Sequence, residues 1–292
     1  MSTSLARALT RARPLIWLDF HAYVAELFRS PVPWLDQTAF AAFHAQAQGL
    51  LRSDVIALPV EPIADALIAS DSGLRTAMAA KSRSVYPLRR LLEDTGLRKA
   101  VASLLLVLRA SHAERPLALA IPSPRRWFAL AYEAAHGVPL DAHVARDADE
   151  IDGASVYIAD FLRAFAESGV DVLLLCETPG QAPVNPEQLV AYQSVINSAR
   201  HYRWEIGLLD AGWPSSPPGD VSLDFCVAPG GTLGKCGGSL LGRAFWEGAD
   251  ASAIADGHFY YAVIPAGATP ERVLERLAVL RACTAQSGLE PQ

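Results

Sequence analysis

No apolar run in this 292-residue chain reaches the roughly 18 residues needed to cross a bilayer, and the best, Val101 to Leu108, is about half that long. A membrane span is therefore not expected. Cysteine is scarce: the four at 176, 226, 236 and 283 show neither CxxC spacing nor the density of a secreted disulfide scaffold. That predicts a reducing, cytoplasmic setting. The first 13 residues carry three arginines but lead only into the short apolar stretch Pro14 to Leu18 and then into Asp19 and His21. This is no signal-peptide core, and the segment itself reads as disordered. Charged residues make up only 19% of the chain, and the balance of 25 basic to 31 acidic gives −6 with no basic stripe. Nucleic acid is thereby excluded as a partner. The hydrophobic fraction of 51% is too high for disorder and sufficient for a large core.

Short apolar runs recur along the chain: Leu15 to Leu18, Val55 to Val60, Leu117 to Ile121, Val170 to Cys176, Ile206 to Leu209, Leu223 to Ala228 and Phe259 to Ile264. Runs without polar alternation are what strands buried on both faces look like, and such strands belong to parallel sheets covered by helices. Amphipathic stretches lie between most of them. Tyr157, Phe161, Leu162 and Phe165 share one helical face, Leu189, Val190, Gln193 and Ile196 another, and Val273, Leu274, Leu277 and Leu280 a third. An open doubly wound sheet and a closed barrel both fit this order. Gly-x-Gly-x-x-Gly is missing after the first run, which removes the main support for a dinucleotide fold and favours an α/β barrel of the (β/α)8, TIM-barrel-like kind. With seven runs counted and nine residues left after Cys283, the last βα unit reads as incomplete or irregular. The whole chain, 1–292, is read as one domain.

In such a barrel the chemistry gathers where the strands end at their C-terminal side. The residues there are Asp19, His21 and Tyr23 after the first strand, Glu61 after the second, Arg125 and Arg126 after the third, Glu177 after the fourth, and Asp210 with Trp213 after the fifth. Asp19, His21, Tyr23, Glu61, Glu177 and Asp210 are the candidate acid–base groups. Converging carboxylates push one another's pKa values apart and equip one of them as a proton donor. Arg125, Arg126, Trp213 and Cys226 are the candidate substrate contacts, although neighbouring arginines on a helix point differently and only one can clamp a carboxylate. A zinc ion, if used, would draw on Cys176, Cys226, Cys236 and His21. Gly230 to Lys235 lacks the serine or threonine of a phosphate loop and reads as a flexible active-site loop.

Pro14-Leu15-Ile16-Trp17-Leu18 with its polar loop, Asp171-Val172-Leu173-Leu174-Leu175 after an amphipathic helix, and Ile264-Pro265-Ala266-Gly267-Ala268-Thr269-Pro270-Glu271-Arg272-Val273 together resemble the superfamily of uroporphyrinogen decarboxylase and cobalamin-independent methionine synthase. The resemblance implies a (β/α)8 barrel with one deep site at its C-terminal mouth. In the decarboxylases two arginines after the first strand hold the substrate's carboxylates, and those positions fall on Asp19 and Tyr23 here, while an aspartate after the second strand falls near Glu61. Reversed charge at that clamp excludes a porphyrinogen as substrate. The His-x-Cys zinc pair of the methyl-transferring branch has no counterpart in Gly207-Leu208-Leu209-Asp210-Ala211-Gly212.

Three readings follow. The first is a lyase of decarboxylase type acting on a small organic acid, needing no cofactor. The second is a methyltransferase, and the third a non-catalytic ligand-binding or assembly protein. The expected partner is a small molecule, with a homodimer through exposed Trp34 or Trp246 as a further possibility.

Overall fold

The computed structural model describes residues 5–9, 14–179, 184, 186–209, 223–229, 237–251, 254 and 257–286. Eight parallel strands form a nearly closed barrel in the order β1-β8-β7-β6-β5-β4-β3-β2. They are β1 Leu15–Asp19, β2 Ile56–Pro59, β3 Leu117–Pro122, β4 Val172–Cys176, β5 Glu205–Leu209, β6 Phe225–Ala228, β7 Gly237–Leu241 and β8 Phe259–Val263. Seven match the apolar runs of the sequence. The eighth is not beyond Cys283 but at Gly237–Leu241, inside the stretch that reads as loop because it opens with two glycines and carries no β-branched residue. Phe259–Val263 is thus the last strand, and the barrel keeps its full complement.

The helices are α1 Leu5–Leu9, α2 His21–Leu27, α3 Gln37–Leu51, α4 Glu61–Ser70, α5 Ser72–Met78, α6 Tyr86–Glu93, α7 Thr95–Ser111, α8 Pro124–His136, α9 Ala148–Arg163, α10 Pro186–Val190, α11 Gln193–His201, α12 Arg243–Glu247 and α13 Pro270–Gln286. Their apolar faces cover the outward residues of the strands, such as Leu119, Leu173, Leu175, Ile206 and Leu208. The irregularity lies at the seam between β1 and β2, which share no ladder. There the Ile16 amide donates to the Asp54 carboxylate at 2.9 Å and the Leu18 amide to the buried Ser53 hydroxyl at 3.0 Å, so side chains satisfy donors that a neighbouring strand would otherwise take.

Alternation decides which residues enter the barrel. Its lower interior is filled by Trp17, Phe225 and Phe259, with Trp17 stacked on Phe259 at 5.9 Å and Phe225 edge-on to Phe259 at 5.7 Å. Room for these rings comes from glycine. A β-carbon on Gly207 would lie 2.1 Å from the Phe225 ring, and one on Gly238 would lie 2.7 Å from Phe259. Gly207→Ala is accordingly expected to destabilise the protein by at least the 1–3 kcal/mol typical of overpacking. Urea unfolding checks this, and Phe225→Leu in the same chain should restore part of the loss.

Residues 5–9, where disorder was expected, form α1 across the N-terminal end of the barrel. Leu5 and Ala8 are buried against the interior cluster, and the Ala6 amide donates to Glu205 at the start of β5. The bottom is therefore sealed by α1 and the three aromatic rings. Among the described residues, no helix is long and apolar enough to cross a membrane.

Candidate functional site

Two loop–helix junctions bring charge to the mouth. Glu61 opens α4, where an acidic side chain suits the partial positive charge of a helix N-terminus. Arg126 sits in the first turn of α8, after Pro124 and a cap in which the Ser123 hydroxyl accepts from the Arg126 amide at 3.2 Å. An arginine there opposes the helix dipole, so its charge must be met from elsewhere. It is: Arg126 Nη2 lies 2.7 Å from Glu61 Oε2, and Nη1 donates to the Glu177 carbonyl at 3.2 Å.

Asp19, the last residue of β1, points into the barrel by alternation with Leu15 and Trp17. Burial pushes its carboxyl up, the Glu61 charge adds to that, and the amide of His21 donating to it pulls the other way. Across the mouth Cys176 faces inward from β4, its thiol pushed up to about 12 mainly by burial and further by Asp19, Glu61 and Glu177 against the pull of Arg126. Tyr261, from β8, lies 5.4 Å from Trp17 and is held well above its ordinary value by burial and by Asp19 and Cys176. Asp19, Glu61, Arg126, Cys176 and Tyr261 thus form one mutually interacting group. A thiol at about 12 is thiolate at on the order of one part in ten thousand at pH 8, so Cys176 is expected to resist iodoacetamide in the folded protein and to react after denaturation. Rapid native labelling at position 176 by mass spectrometry would contradict this.

The other sequence candidates lie elsewhere. Glu177 is turned outward, where its carboxylate takes Arg125 Nη2 at 2.9 Å and the Tyr192 hydroxyl at 2.5 Å, while Arg125 Nη1 reaches Gln188 at 3.3 Å. Arg125 and Glu177 are both buried, so this network holds the mouth from behind and leaves neither charge to a substrate. Tyr23 is buried in the cluster between barrel and helices with Ile16, Leu18 and Tyr260, its hydroxyl raised by burial and by Glu271. Cys226 faces outward from β6 into the helix layer. Asp210, Trp213 and Cys236 lie outside the described residues. Trp246, expected to be exposed, is buried in the β8–α13 cluster, and Trp34 packs against His21 and Phe40.

His21 contributes to the mouth only through its main-chain amide. Its ring is buried in the helix layer, 4.7 Å from Phe20, 5.1 Å from Trp34 and 6.3 Å from His44, and His44 in turn lies 5.3 Å from His112. The Nε2 atoms of His21 and His44 are buried without a hydrogen-bond partner among the described residues. Burial lowers His21 to about 4, and burial with the neighbouring histidines lowers His44 to about 3. The unfolded chain therefore binds more protons than the folded one below the ordinary value of 6.5. Stability should fall as pH drops from 6.5 toward 4, by on the order of 1.4 kcal/mol per pH unit for each histidine. Urea midpoints between pH 7 and 5 check this, and His44→Leu should flatten the slope.

Of the residues expected to serve a zinc ion, Cys176 faces into the barrel, Cys226 faces out and His21 lies in the helix layer, so these three do not converge, and Cys236 lies outside the described residues. Among the described residues no three His, Cys, Asp or Glu side chains form a group that could hold a metal ion.

Three residues escape a strand-end reading. Tyr192 and Gln188 act through the network behind Glu177, and only three-dimensional packing reveals them. Tyr261 was findable, because alternation along Phe259-Tyr260-Tyr261 puts positions 259 and 261 on the inner face.

Eight parallel strands with surrounding helices and a charged C-terminal mouth define a (β/α)8 barrel, an architecture used by many small-molecule enzymes. No known protein family matches this sequence, and no curated protein matches it. A solved structure of the pneumococcal virulence factor StrH, described for its inhibition and for N-glycan recognition and hydrolysis, is similar at a TM-score of 0.46 and 10% identity, covering 93% of this chain and 82% of that one.

Proposed function

We propose that this barrel is a lyase of decarboxylase type acting on a small organic acid, with Asp19 as the proton donor. The observation that carries the reading is the pair of unlike carboxylates at one mouth. Glu61 is ion-paired to Arg126 at 2.7 Å, while burial and the Glu61 charge hold the Asp19 carboxyl toward its protonated form. A neutral carboxyl and a guanidinium both donate hydrogen bonds, so together they suit an anionic group.

In the proposed reaction the bond between the substrate's carboxylate and its α-carbon breaks, carbon dioxide leaves, and the electron pair stays on the carbon. Asp19 delivers its proton to that carbon and becomes a carboxylate, which water then reprotonates. Arg126 positions the anion, and Glu61 fixes Arg126 while raising the proton affinity of Asp19. The resemblance to the uroporphyrinogen decarboxylase and methionine synthase superfamily belongs to the same proposal, with Asp19 standing where the decarboxylases carry a clamp arginine. The test is release of carbon dioxide from a panel of small carboxylic acids by the purified protein. Expected is turnover of at least one acid that Asp19→Asn removes and Tyr23→Phe leaves in place. Turnover that survives Asp19→Asn would assign the proton to another group.

A further inference from the structure

The walls of the mouth say more about the substrate than its charges do. Below Asp19 the barrel is closed by Trp17, Phe225 and Phe259, so no ligand can penetrate far along the axis. On β2 and β3, however, the inner face below the rim prolines Pro59 and Pro122 carries only alanines, Ala57 on β2 and Ala118 and Ala120 on β3, and Ala57 and Ala120 retain partial exposure although they lie within the barrel. The wall on that side, beneath Glu61 and Arg126, is therefore built of small side chains that leave it partly open. Around the rest of the opening stand Pro59 from β2, Leu209 from β5, Leu240 from β7 and Val263 from β8, the last 44% exposed despite its apolar side chain. Cys176 adds a thiol that stays uncharged. Among the described residues this wall has one cation, Arg126, and that cation already faces the carboxylate of Glu61.

From this lining we infer that the pocket takes a monocarboxylate with a compact apolar body, the acid group at Arg126 and Asp19 and the body against Ala57, Ala120, Leu209 and Leu240. The inference rests on the barrel mouth being the active site, as proposed above, and names the class of its substrate. Among the described residues, a second carboxylate would meet apolar wall or the charge of Glu61, and a polyhydroxylated ligand would bury hydroxyls against Ala57, Ala120, Leu209 and Leu240, which offer them no partner. Each methylene of a monocarboxylate, by contrast, leaves water for apolar surface, which tightens binding by up to about four-fold.

The test is a binding series by calorimetry at one pH: straight-chain monocarboxylates from acetate to octanoate, the dicarboxylates and primary alcohols of matching length, and glucose as a polyhydroxylated probe. Affinity should rise with each methylene up to a limiting length, with dicarboxylates and alcohols at least ten-fold weaker and glucose not bound. Ala120→Phe, which fills the alanine-lined side, should shorten the limiting length or weaken the longer acids at least ten-fold. Ala57→Leu gives the same readout if Ala120→Phe fails to fold. Arg126→Gln should erase the preference for acid over alcohol. Equal or tighter binding of dicarboxylates or glucose, absence of binding by every probe, or binding unchanged in both filled variants would each overturn the inference. Monocarboxylates that bind as described while no acid releases carbon dioxide would overturn the decarboxylase reading and leave this one standing.

Discussion

Replacing Arg125 with leucine is expected to cost about 3–5 kcal/mol of stability, because it strands the Glu177 carboxylate in the interior. In the intact protein that carboxylate is 1% exposed and the Arg125 side chain 9%, so neither has water to fall back on. Tyr192 still donates to Glu177 but brings no charge to balance it. The second change identifies the cause. With Glu177→Gln added to Arg125→Leu the buried charge is gone, an amide oxygen still accepts from Tyr192, and most of the stability should return. Chemical unfolding of the two variants beside the parent makes the measurement. Equal destabilisation of both would show that Arg125 matters through packing and not through charge. Because Arg126 is held partly by the Glu177 carbonyl, a backbone group, the double variant should also keep the mouth intact and retain activity.

Asp19→Asn is the change with the largest expected effect on function. An amide cannot deliver a proton to carbon, and positioned acid–base groups contribute about a hundred- to ten-thousand-fold to rate. A loss of that size in turnover, with thermal stability equal to the parent or higher, is the expected result. Stability should not suffer, since the wild-type carboxyl carries the ionisation penalty that burial imposes and that raises its pKa, whereas asparagine carries only the smaller cost of a buried neutral amide. The pH dependence follows the same sign. Activity requires the protonated form, so it should be full at low pH and decline as pH rises through the Asp19 pKa, above the ordinary aspartate range. Glu61→Gln removes a charge that raises this pKa and should shift the decline to lower pH. It should also slow the reaction by freeing Arg126 to move.

Much of the fold was legible because a parallel barrel strand has no polar face. Runs such as Val172–Cys176 and Leu117–Pro122 need apolar residues toward both helices and interior, and that continuity survives in one dimension. Gly237–Leu241 was illegible for the opposite reason. It is shaped by the Phe259 ring on the neighbouring strand, and two glycines that make room for a distant aromatic look like a loop until the register is known. The site divides along similar lines. Asp19, Glu61 and Arg126 are reachable by the rule that chemistry follows strand ends, and the structure does bring them together. Residue direction is what the rule lacks. Glu177 and His21 stand at strand ends too, yet the first turns back onto Arg125 and the second turns into an aromatic layer with Trp34 and His44. A one-residue change of position reverses a side chain on a strand, and the sequence around positions 176 and 177 did not say which of the two would face the mouth.

Burial and the Glu61 charge push the Asp19 carboxyl above the ordinary aspartate range, and titrating that carboxyl measures the effect. Carboxyl resonances followed by carbon-13 NMR in aspartate-labelled protein, with Asp19→Asn used for assignment, would report it. One carboxyl titrating above the ordinary aspartate range, absent in Asp19→Asn and moved downward in Glu61→Gln, is the predicted result. An Asp19 resonance that titrates within or below that range, or that ignores Glu61→Gln, would rule out Asp19 as a proton donor raised by burial and by Glu61.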